Sequence, residues 1–204
     1  MSTSHFLFIL SLLGGLPAVA AGSPDPVRLA ALEVRVAEFS TALKLLEAYE
    51  GVDAVDKAAH CFVQARALFG LGRHAEALER LREVKAPALQ RPAAWLRFQI
   101  GEVLGDDEMT LRSAETLKGL GTLPSRYEAR RLLAVGRIGL VKPKKADAAR
   151  ASLRKLVNHR DRSVRARALA LLADEGDLAL MAQLLVKYPD SEQARRRAHW
   201  MKRV

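Results

Sequence analysis

The chain has 204 residues, of which 34 are Ala and 33 are Leu, while aromatics make up only 5 %. Strong helix formers therefore dominate and strand-favouring types are scarce, which excludes an ordinary all-β fold and makes a parallel α/β sheet a poor fit. Charged residues at 27 %, mean hydropathy near zero and a formal net charge of +10 describe a foldable chain, neither disordered nor polytopic, with a length that suits one domain.

In chain order, the first element is an apolar run, Phe6 to Leu13, followed by Gly14, Gly15, Pro17 and then Ala18-Val19-Ala20. This pattern predicts a signal peptide over 1–21 with an A-x-A-type cleavage site. The run is short for a membrane span, which needs about 20 apolar residues. Two features bear on it: the segment before it carries no Lys or Arg, and no Cys follows as a lipoprotein anchor point. An uncleaved anchor and a buried helix are the alternatives. Export places the mature chain outside the cytosol, removes nucleic acid as a routine partner and leaves no stable membrane anchor after cleavage.

The rest, 22–204, reads as one helical-repeat domain. Asp25-Pro26 announces a helix over 26–50, with Leu29, Leu32, Val36, Phe39, Leu43 and Leu46 as one apolar stripe and Gly51 as its stop. Asp53 opens the next helix, to about Phe69, with Gly70 and Gly72 as the turn. The single cysteine, Cys61, lies in it, excluding an internal disulfide framework and a Cys-based zinc site, and reads as a small core residue. A partner helix covers about Arg73 to Val84. Arg91-Pro92 opens a helix ending at Gly105. Asp106 and Asp107 cap the next, to Lys118 and Gly119. Ser125 caps one to about Leu140, Pro143 opens one to near Asn158, Asp161 caps one to Glu175, and Asp177 caps one to Tyr188. Asp190 with Gln193 forms a capping box for a terminal helix over 190–202.

Alternate openings at Asp53, Arg91, Ser125 and Asp161 lie 38, 34 and 36 residues apart. A near-constant period with two helices in each is the signature of a helical solenoid, whose helix pairs bury their apolar faces only by stacking. The expectation is an all-α, right-handed α-solenoid of about nine helices after the leader. Its antiparallel pairs fall near 53–86, 91–119, 125–158 and 161–189, with capping helices at 26–50 and 190–202.

The stretch Ala65-x-Ala67-Leu68-Phe69-Gly70-Leu71-Gly72-Arg73-x-x-Glu76-Ala77-Leu78-x-x-Leu81 resembles the turn between the two helices of a tetratricopeptide repeat. In that resemblance Gly72 matches the turn glycine, Ala77 the small residue where the helices touch, and Leu81 the large residue filling the groove. Trp95 falls at the family's Trp position one repeat later, with Phe98 at its Leu position. Tyr188-Pro189-Asp190-Ser191-x-x-Ala194 resembles repeat boundaries of cell-envelope tetratricopeptide proteins and the helical, non-catalytic region of soluble lytic murein transglycosylases. Asp161-x-x-Val164-Arg165-x-x-Ala168-Leu169 resembles a HEAT repeat instead. The resemblance covers residues 53–195 as helix pairs and is specific only around 65–81. It implies a concave binding face for a protein or peptide partner and no enzymatic activity.

Catalytic motifs are missing: no H-E-x-x-H, G-x-S-x-G or phosphate-binding glycine loop occurs, and the transglycosylase's Glu-Ser pair and Gly-Leu-Met-Gln motif are absent. Nothing in the sequence calls for a cofactor. His60, His74, His159 and His199 form no i,i+4 pair, so no metal site is expected. Asp106-Asp107-Glu108, at a helix start, fits capping and dipole compensation better than acid–base work. Charge is uneven: residues 126–167 carry 14 basic and 3 acidic groups, whereas 22–125 is nearly balanced with 13 and 15. On the helix from Arg126, Ala129, Leu132, Leu133, Gly136 and Leu140 form the apolar face. Tyr127, Arg130 and Arg137 project from another side. With Arg165 they are the candidate binding residues, since Arg suits carboxylate or phosphate partners such as anionic peptidoglycan. The plainer reading of this block is a solvated Arg-rich surface.

Overall fold

A Pro following Asp, at the point where an apolar periodicity begins, dictates a capped helix start. In the computed structural model, which describes residues 25–48 and 54–201, Asp25 does accept from the Val27 amide at 2.9 Å with Pro26 in the first turn. The leader at 1–21, the Gly51 stop and the Asp53 cap lie outside the described residues, as does the side chain of His199. The chain is all-helical: eleven α-helices and no strand occur among the described residues. It divides into two compact units, Met1–Leu104 and Gly105–Val204.

The first unit holds α1 (Pro26–Arg35), α2 (Phe39–Glu47), α3 (Ala54–Gly70), α4 (His74–Arg82) and α5 (Pro87–Leu104). The expected single helix over 26–50 is in fact two. Ala37 adopts a left-handed φ of 67°, the Glu38 amide bonds the Glu33 carbonyl at 2.9 Å and the Ala37 amide the Val34 carbonyl. That is a Schellman ending with Ala in the position glycine usually fills. The turn rotates the stripe out of phase. Leu32 and Val36 become 49 % and 68 % exposed, and Val27, Ala30 and Val34 take their place in the core. Arg91-Pro92 does not open α5 either: Pro87 starts the helix and Pro92 is buried inside it.

Gly72 forms a left-handed turn between α3 and α4. Its φ is +78°, nothing lies near its missing Cβ, and the Arg73 amide closes on the Leu68 carbonyl, so the conformation rather than space demands glycine. Gly70 is not part of that turn: it is helical, and a Cβ there would sit 2.5 Å from the Phe39 ring of α2. Ala77 and Leu81 are both fully buried, and Phe98 is buried beneath a half-exposed Trp95, rings 5.1 Å apart and stacked. Cys61 is a core residue. Because Ala77 has no free surface, Ala77→Leu is expected to cost about 1–3 kcal/mol as an overpacked site. Thermal denaturation followed by circular dichroism checks this, and an unchanged midpoint contradicts the close packing at Ala77.

The second unit holds α6 (Asp107–Gly119), α7 (Ser125–Leu140), a 3-10 turn (Pro143–Lys145), α8 (Ala146–Arg154), α9 (Arg162–Ala173), α10 (Leu178–Lys187) and α11 (Glu192–Met201). Asp106, Asp161 and Asp177 cap as expected, each accepting from amides of the following turn. Ser125 does not: the cap position is Pro124, and the Ser125 hydroxyl faces His159 Nε2 at 3.0 Å. Nor does Asp190 form the terminal box; Ser191 Oγ accepts from the Ala194 amide instead. Helix starts at Ala54, Pro87, Ser125 and Arg162 give spacings of 33, 38 and 37 residues.

The tightest seam joins α7 to α8. A Cβ at Gly136 would lie 2.4 Å from Leu153 Cγ, and one at Gly139 2.7 Å from Ala149 Cβ, so two glycines one turn apart let the second helix nest against the first. Leu153 then enters a core with Ala129, Leu132, Leu156, Ala168 and Leu172. A second cluster, of Ala166, Leu169, Ala170, Leu184, Tyr188 and Ala194, continues it across α9 to α11. In each unit the extensive contacts join helices one or two places apart: α1 with α2 and α3, α3 with α4 and α5, α7 with α8 and α9, α9 with α10 and α11.

Candidate functional site

The basic block at 126–167 resolves into three kinds of cation. Arg131 is buried, 9 % exposed in its side chain, and grips Glu128 through two bonds of 2.9 and 2.6 Å. This bond holds the Glu128 carboxyl below its ordinary range, against the opposing effect of burial. Arg137 pairs with Asp107 at 3.3 Å, Arg150 with Asp147 and Glu175, and Arg162 with Asp190 at the limit of 4.0 Å. Lys144, Lys145, Arg154, Arg160 and Arg167 are exposed and make no ion pair among the described residues.

The four candidate binding residues have different environments. Tyr127 is buried at 8 % exposure, its hydroxyl accepting from Arg126 at 3.1 Å. Arg130 is half-buried on α7 and has a partner of its own. Arg137 is exposed and spoken for by Asp107. Arg165 lines a cleft. Asp106 is a cap, Asp107 the partner of Arg137, and Glu108 an exposed partner of Arg112, so that acidic run does structural work.

Arg165 sits one turn into α9 because Asp161 fixes where that helix begins. Two amides and the hydroxyl of the next turn bond Asp161, Ser163 foremost, which keeps its carboxyl ionised below the usual range. From there Arg165 donates through Nη1 to the His159 and Arg160 carbonyls, at 2.6 and 3.0 Å, and through Nε to the Tyr188 hydroxyl at 2.8 Å. One guanidinium thus ties the α8–α9 connection to the end of α10. Arg162 and Arg165 both lie 5.7 Å from the Tyr188 ring centre, within cation–π range.

Beside this tie lies a cleft of about 370 Å³. Its apolar lining is Val157, Leu169 and Tyr188, and its polar lining is Arg165, Lys187, Asn158 and Gln183. No carboxylate lines it. Arg165 Nη2, Lys187 Nζ and the two amides make no side-chain hydrogen bond among the described residues. Tyr188, Lys187 and Gln183 were not legible as a site, because a Tyr-Pro helix stop carries no functional signal of its own. The Arg131–Glu128 pair had one, the i,i+3 spacing.

No group of three His, Cys, Asp or Glu that could hold a metal ion occurs among the described residues, and no helix there is long and apolar enough to cross a membrane. No known protein family, curated protein or solved structure matches the chain.

Proposed function

We propose that the chain is an exported, non-catalytic helical-repeat scaffold of the cell envelope, a right-handed tetratricopeptide-like solenoid that binds a protein or peptide partner on its concave face. The observation that carries the reading is the contact pattern. Helices one or two places apart pack together within each unit, the arrangement expected when stacked pairs share a continuous core. The turn at Gly72 with Ala77 and Leu81 buried supports the tetratricopeptide register. Sequencing the N-terminus of the protein from cells, together with in-cell crosslinking, tests it. A start near Gly22 and a specific crosslinked envelope protein are expected, whereas a retained Met1 start with no crosslink overturns it.

The exposed cations Lys144, Lys145, Arg154, Arg160 and Arg167, which make no ion pair among the described residues, favour a second reading, an anionic cell-wall polymer-binding module or a relative of a lytic transglycosylase without its catalytic domain. Salt-sensitive co-sedimentation with peptidoglycan that falls on Lys144→Gln with Lys145→Gln would support it.

A further inference from the structure

We propose that the cleft between α9 and α10 is a carboxylate-binding site for an acidic peptide segment. The inference deepens the peptide-binding reading above, and rests on it, by naming the chemistry of the segment.

Three observations carry it. First, the charges that line the cleft are all of one sign: Arg165 and Lys187 bring two cations and no lining residue is acidic. Second, the donors are unspent. Arg165 uses Nε and Nη1 on the Tyr188 hydroxyl and the 159–160 carbonyls, leaving Nη2, while Lys187 Nζ and the Asn158 and Gln183 amides have no side-chain partner among the described residues. Third, Arg165 is pre-organised. Three bonds already fix its plane, so little rotamer freedom remains to be lost when an anion arrives.

The ligand class follows from the lining. A planar carboxylate accepts at two oxygens, which suits the one unspent guanidinium nitrogen of Arg165 beside an ammonium and two amides. The apolar wall of Val157, Leu169 and Tyr188 gives a neighbouring aliphatic side chain a place to be buried, which a polymer bearing only charge would leave unused. An extended segment alternating acidic and apolar residues fits both halves.

The test is fluorescence anisotropy on the full protein at low salt. The probes are a labelled peptide of alternating Glu and Leu and its Gln–Leu counterpart. The Glu peptide is expected to bind about ten-fold more tightly than the Gln peptide. Lys187→Gln, at an exposed position, should weaken the Glu peptide about ten-fold while leaving the melting temperature unchanged. Lys144→Gln with Lys145→Gln removes two charges elsewhere and should change affinity by less than about two-fold. Equal binding of the two peptides overturns the carboxylate assignment. Equal losses from the Lys187 and Lys144/Lys145 variants overturn the site. Glu-peptide binding that survives Lys187→Gln defeats this cleft but leaves the scaffold reading standing, since that rests on the helix contact pattern and is tested separately by crosslinking in the cell.

Discussion

Leu153→Ala is expected to cost about 2–5 kcal/mol, and Gly136→Ala is expected to change sign depending on whether Leu153 is present. In the native protein a Cβ at 136 meets a fully buried Leu153 at 2.4 Å. The overpacking cost of about 1–3 kcal/mol outweighs the roughly 1 kcal/mol that Ala gains over Gly in a helix interior. After Leu153→Ala the obstruction is gone, so the same methyl fills part of a cavity and keeps its helical gain. Gly136→Ala should then stabilise by about 0.5–1 kcal/mol. Urea denaturation of the four proteins closes the cycle. An effect of Gly136→Ala that is the same in both backgrounds contradicts the α7–α8 seam.

The second large effect is at Glu128. Removing a partner from a buried ion pair costs about 3–5 kcal/mol when the pair is dry. Glu128 is 38 % exposed in its side chain, so water replaces part of its role and about 1–3 kcal/mol is expected for Glu128→Ala. Because pairing with Arg131 lowers the native Glu128 pKa, the contribution is present above the unfolded glutamate value of about 4.3. It is lost as pH falls through that value towards the lowered native one. Urea midpoints between neutral and acid pH should therefore fall more steeply for the native protein than for Glu128→Ala. Parallel acid profiles contradict the pair's importance.

Helix content, most cap positions and the Gly72 turn were readable because each depends on residues within one turn of the chain. Asp25, Asp106, Asp161 and Asp177 all cap where their spacing placed them. The break at Ala37 was hidden because alanine is the best helix former and costs about 1–2 kcal/mol in a left-handed conformation, so nothing local announces it. Tertiary packing overrode propensity there. Gly70 and Gly136 were hidden for another reason: a glycine needed for close approach looks in sequence like one needed for a turn, and only the Phe39 ring and the Leu153 side chain tell them apart. Among the candidate binding residues, charge type was legible but pairing was not. Asp107 lies 30 residues from Arg137 and Tyr188 lies 23 from Arg165. Such partners follow from the fold and cannot be counted off along a helix.

If the helix pairs stack as proposed, stability and structure propagate only between neighbouring pairs. Native-state hydrogen exchange on the Ala77→Leu protein measures this. Nearest-neighbour coupling predicts faster exchange in α3, α4 and α5, with the amides of α9, α10 and α11 unchanged. A uniform loss of protection across all of these helices would mean one cooperative core and would contradict the repeat account.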